Sequence, residues 1–165
     1  MALEYTLSTD IMSINSITNT IIDNFKIGNS KINKNDKLVN LNYDETLGFT
    51  ISIIEHMKRV EYDSFSFISY TYIIFKIEKN KYYENSIELK KNIVKILLLF
   101  LPNDNNLLFT FNGENLLLVK EKNMKIIINR HYGFWDNKKL YDMIKEISDE
   151  EVSDDKEIDY YSINC

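Results

Sequence analysis

Cysteine occurs once in this 165-residue chain, at Cys165, proline once, at Pro102, and glycine only four times. A single thiol excludes an internal disulfide framework and a thiolate cage for zinc. With so little glycine and proline, many turns must be made by Asn and Asp, whose short side chains bond to the local backbone. There are two histidines, His56 and His131, with no H-x-x-x-H or H-E-x-x-H spacing to seat a metal. No G-x-G-x-x-G, phosphate loop or G-x-S-x-G is present, so neither a dinucleotide cradle nor a nucleophile elbow is indicated. The most apolar run, Ile93–Leu101, is interrupted by Lys95 and falls far short of the ~20 residues that span a bilayer. The opening MALEYTLSTD carries acids early and lacks the basic and apolar regions of a signal peptide. These absences together lead us to expect a cytoplasmic, non-enzymatic chain with no cofactor and no metal.

What is present supports a packed domain. Hydrophobic residues make up 44% of the chain and aromatics 13%, enough to build a core and to exclude general disorder. The formal net charge of −5 is unevenly spread. Asp149, Glu150, Glu151, Asp154, Asp155, Glu157 and Asp159 stand against Lys156 alone, so residues 149–165 carry −6 and the rest about +1. A nucleic-acid binder needs the opposite sign on its working surface. The tail acids lack the spacing and the loop glycine of a calcium loop, and a solvated acidic tail is the favoured reading. The sequence therefore divides into a single domain over 1–148 and an acidic tail over 149–165.

Periodicity places the elements. Leu3, Tyr5 and Leu7 alternate with Glu4, Thr6 and Ser8, which predicts a half-buried strand, followed by a helix capped at Thr9 or Asp10. Ile11, Ile14, Ile17, Thr18, Ile21, Ile22 and Phe25 form the stripe of that helix. One or two weak strands follow up to Leu41, then a strand over Gly48 to Glu55 and a β-rich run from Phe65 to Ile77, expected to be buried partly on both faces. A second helix is expected from Tyr82 to Leu101, with Ile87, Val94 and Leu98 on one stripe, stopped by Pro102. Asn112-Gly113 marks a hairpin within a meander over Leu107 to Asn129. Asp136 is the expected cap of a short third helix. The fold class that follows is α+β, a mostly antiparallel sheet of about six to seven strands, with two main helices on one face and a short C-terminal helix.

Few residues suggest chemistry. His56, placed just after the Gly48 to Glu55 strand, reads as an exposed strand-end histidine before it reads as a general base. His131 sits in Arg130-His131-Tyr132 with no acid at a telling spacing. Trp135 either plugs one end of the core, the favoured reading, or anchors a partner, since Trp is enriched in binding hot spots. We keep it with the seven tail acids as a candidate partner contact.

The opening Met1-Ala2-Leu3-Glu4-Tyr5-Thr6-Leu7, the Gly48-Phe49 strand, and the stretch LFTFNGENLLLVKEKNMKIIINRHYGF from Leu108 to Phe134, followed by Trp135, resemble the Sit-type immunity proteins. These are small bacterial proteins encoded beside polymorphic toxins of the swarming-inhibition kind. The resemblance covers most of residues 1–145 and leaves the acidic tail outside it. It implies an immunity protein that binds and neutralises one cognate protein toxin in the producer's cytoplasm by surface complementarity. The alternatives are a structural or adaptor subunit of a bacterial or phage assembly, or an enzyme whose site assembles only in the fold.

Overall fold

Alternation of apolar and polar residues builds the centre of the molecule. The protein, here a computed structural model, is described for residues 2–28, 31–42, 47–62, 65–122, 126–130 and 132–146. One sheet contains eight strands: β1 (Ala2–Thr9), β2 (Ile32–Lys34), β3 (Leu38–Leu41), β4 (Thr50–Tyr62), β5 (Phe65–Glu78), β6 (Leu107–Phe111), β7 (Asn115–Lys120) and β8 (Ile126–Ile128). Their spatial order is β2-β3-β4-β5-β1-β6-β7-β8, and every neighbouring pair is antiparallel. The α+β antiparallel class expected from the sequence is present. The strand count is eight, not six to seven, because the weak stretches before Leu41 form both β2 and β3.

Three helices, α1 (Ile14–Phe25), α2 (Lys79–Leu98) and α3 (Lys138–Lys145), pack into one core with one face of this sheet. Their buried Ile17, Ile21, Ile93, Leu97, Leu140 and Ile144 meet the side chains that β1, β4, β5 and β6 turn the same way. Removing an aliphatic side chain of that size from water contributes roughly 1.5–3 kcal/mol. β5 alternates cleanly along its length, with Ile73, Phe75 and Ile77 buried and their neighbours more open. The second face is partly covered, as expected: Tyr70, Tyr72 and Ile74 are half-buried there, whereas Ser66, Ile68, Lys76 and Glu78 are exposed.

Helix starts follow tertiary demand. Ser13, not Thr9 or Asp10, caps α1, its hydroxyl accepting from the Ser16 amide at 3.2 Å. Thr9 is the last paired residue of β1, and the Asp10 carboxylate is occupied by the amide and side chain of Asn106 at 2.9 and 2.8 Å. Likewise Asn137, not Asp136, caps α3. α2 starts at Lys79, earlier than the pattern indicates, with a non-helical Asn85 within it. No residue from 79 to 88 is buried, so Ile87 is exposed and the inward face begins at Leu89. Asn112-Gly113 turns the β6–β7 hairpin with both residues at positive φ, 52° and 74°, and the Asn112 amide also donates to the Glu4 carbonyl at 2.7 Å.

An aromatic group closes the β6 side of the core. The Tyr5 ring lies 4.9 Å from Phe111 and 5.4 Å from Phe134, and Phe134 lies 4.7 Å from Trp135, in tilted and edge-on contacts. Burial, reinforced by the neighbouring Tyr82 phenol, pushes the Tyr5 hydroxyl far above its ordinary value. The neutral form is thus favoured by the fold. Its contribution is whole below the usual phenol value of about 10 and is lost as pH rises above it. In an alkaline titration followed by phenolate absorbance, Tyr5→Phe should leave the native titration unchanged and remove one phenol from the step that accompanies unfolding. Loss of one phenol from the early, native part of the curve would contradict this environment.

Candidate interaction surface

The seven tail acids lie outside the described residues, as does His131. Trp135 lies at 0% exposure, its indole Nε1 donating to the Leu117 carbonyl at 2.8 Å. It offers no surface to a partner, which corrects that candidacy. Instead it plugs the core next to α3. His56 lies within β4, since that strand runs on to Tyr62, and it is exposed with its ring 6.2 Å from that of Tyr72.

The extra length of β4 and β5 forms an arm. β4 leaves β3 at Ile54 and β5 leaves β1 at Thr71, while the pair continues from Lys58 opposite Ser69 to Tyr62 opposite Phe65. A bulge between Glu55 and Lys58 sits at the root and puts His56 and Met57 opposite Tyr70. Bulges increase local twist and re-aim side chains. Here the ribbon turns onto the sheet face that carries no helix, where Phe65 and Phe67 pack with Leu108 and Val119 in a second, smaller apolar cluster. Met57 and Ile68 point outward at 69% and 41% exposure. Among the described residues, no third strand flanks either edge of the arm. Those edges are blunted by the bulge and by Lys58, Arg59 and Glu61, the devices that keep open strands from pairing indiscriminately.

Between the arm and the sheet is a cleft of about 330 Å³. Its floor is made by Thr6 and Ser8 of β1, Thr110 of β6 and Tyr72 of β5, with Lys58 and Arg59 overhead. The Tyr72 oxygen is buried and has no hydrogen-bond partner among the described residues. Burial raises the Tyr72 phenol above its ordinary value, partly offset by the Ser69 hydroxyl, whose own bonds go to the Thr9 and Thr71 carbonyls. Arg59 Nε meets Glu61 Oε1 at 2.5 Å.

A third polar feature lies at the end of β7. Lys120 is 8% exposed, and its ammonium donates to the carbonyls of Asn103 and Asn105. Burial lowers its pKa, while Asp104 and Asp10 act in the opposite direction. With its protons directed at backbone carbonyls, Lys120 fastens the α2–β6 connection to the sheet; it is not poised as a nucleophile. Among the described residues, no group of three or more His, Cys, Asp or Glu could hold a metal ion, and no helix is long and apolar enough to cross a membrane.

Sequence reading missed the arm, the cleft and the Lys120 clasp. Thr6, Ser8, Tyr72 and Thr110 look like the polar sides of amphipathic strands, and only their register gathers them. The one local signal for the arm is His56-Met57-Lys58-Arg59, where clean alternation fails as it does at bulges. No family model matches the chain, and neither does any curated protein or solved structure.

Proposed function

We propose that this chain is a non-catalytic immunity protein, which captures and neutralises one protein toxin domain, and that the β4–β5 arm is its working edge. The observation that carries the reading is the arm itself: a two-stranded ribbon that no third strand flanks among the described residues, displaying Met57 and Ile68 to solvent. An exposed methionine beside open backbone edges suits capture of a partner segment, since Met adapts its shape and free edges accept an added strand. The sequence resemblance to Sit-type immunity proteins points to the same class. The acidic tail adds long-range attraction for a basic toxin surface.

The test is binding to the toxin domain encoded beside this gene. The double variant Met57→Asp, Ile68→Asp should retain the far-ultraviolet spectrum and weaken binding by about 100-fold or more, the scale of two lost apolar anchors. A chain ending at residue 148 should associate about 10-fold more slowly at low salt, with the difference shrinking as salt is added. Unchanged affinity in a folded double variant would remove the arm from the interface. Failure of the intact protein to bind or protect against that toxin would remove the immunity function, and a stable homo-oligomer in its place would favour an assembly subunit.

A further inference from the structure

The cleft under the arm has a chemistry that toxin capture does not use. Ser8 stands opposite Tyr72 across β1 and β5, and Thr6 stands opposite Thr110 across β1 and β6. Facing residues on neighbouring strands lie about 5 Å apart, and Thr6 and Ser8, two apart on one strand, about 7 Å. Register therefore gathers four hydroxyl-bearing residues from three strands on one face of the sheet, in a patch about 12 Å across. Ser8 and Thr110 are buried residues, and the Tyr72 oxygen is itself buried with no hydrogen-bond partner among the described residues. Buried hydroxyls are almost always bonded, and one left without a partner is destabilising by about 1–3 kcal/mol.

Charge gives the sign of the ligand. Arg59 is neutralised by Glu61, whereas Lys58 has no carboxylate partner among the described residues. The cleft is thus lined by hydroxyls, by the mutually paired Arg59 and Glu61, and by one ammonium without a carboxylate partner among the described residues. Gly113 leaves the wall open on the β6–β7 side, where an added Cβ would meet nothing within 4 Å. At about 30 Å³ for a water-sized group, 330 Å³ admits roughly ten non-hydrogen atoms.

We infer that this cleft binds a small oxyanion, a phosphate ester or carboxylate on a three-carbon polyol, with Lys58 pairing the charge and Thr6, Ser8, Tyr72 and Thr110 bonding its oxygens. The site is independent of the arm's outer face, so its fate and that of the toxin reading are separable. The experiment is a titration of the full chain with glycerol 3-phosphate, glycerate and glycerol, followed by backbone amide shifts. At least one of the two anions should shift Thr6, Ser8 and Thr110 with a dissociation constant of about 1 mM or tighter, and glycerol should not. Whichever binds more tightly identifies the head group as phosphate or carboxylate. Lys58→Met should weaken that binding about 10-fold or more, and Tyr72→Phe by about 3–10-fold. Tyr72→Phe should also raise the melting temperature, because it deletes an unbonded buried hydroxyl; this separates lost affinity from lost folding. Equal shifts with glycerol, variants that bind like the parent, or no shifts at about 10 mM anion would each overturn the site.

Discussion

Replacing Trp135 with alanine is expected to destabilise the fold by about 3–5 kcal/mol, the range for a large aromatic removed from a packed interior. Three separate losses add up at this position. The indole is fully buried, so its removal leaves a cavity between β7 and the segment leading into α3. Its Nε1 donor is lost, which leaves the Leu117 carbonyl without this partner inside the core. The edge-on contact with Phe134 at 4.7 Å disappears, which loosens the aromatic group that also holds Tyr5. Urea unfolding measures the change, and Trp135→Phe supplies the control: it keeps most of the volume without the donor, and it should fall between alanine and the parent. A loss below about 1 kcal/mol for alanine would mean that this end of the core is open.

Gly48→Ala is expected to destabilise by about 2–4 kcal/mol through two effects that can be pulled apart. Gly48 has φ of +81°, where a residue with a side chain is strained. The added Cβ would also lie 2.4 Å from Leu89 Cδ2, so the buried leucine must move. That approach exists because the Asn92 amide holds the Leu47 carbonyl at 3.2 Å and draws the start of β4 against α2. In a cycle with Leu89→Ala, the glycine substitution should become cheaper by the steric share and keep the backbone share. Strict additivity of the two changes would show that the contact plays no part.

Where one buried face dictates the pattern, the sequence was legible. The alternation of Tyr5 and Leu7, the Ile14–Ile17–Ile21 stripe and the Asn112-Gly113 hairpin all appear in the structure, because each expresses a local period against a single core. Helix starts were less legible, since Asp10 is a good cap by type but is bonded to Asn106, a residue remote in sequence. The second half of β4 was invisible because its bulge breaks the alternation and its residues from Glu55 to Glu61 are exposed apart from Val60, which packs against the Phe65–Phe67 cluster. The cleft was hidden more deeply. Thr6, Ser8, Tyr72 and Thr110 each satisfy the polar side of a strand, and nothing in one strand announces the register of the next.

The position of β1 has a consequence for biosynthesis. It is the first strand to leave the ribosome, yet it occupies the middle of the sheet, with Ala2 opposite Glu78 on one side and Tyr5 opposite Phe111 on the other. Neither seam can close until those distant residues have been translated. The nascent chain thus keeps its central strand unpaired on both edges until β5 has been made, and on one edge until Phe111 has been added. Such high contact order makes folding slow and late, and it exposes the emerging polypeptide to mispairing, which is where a chaperone would act.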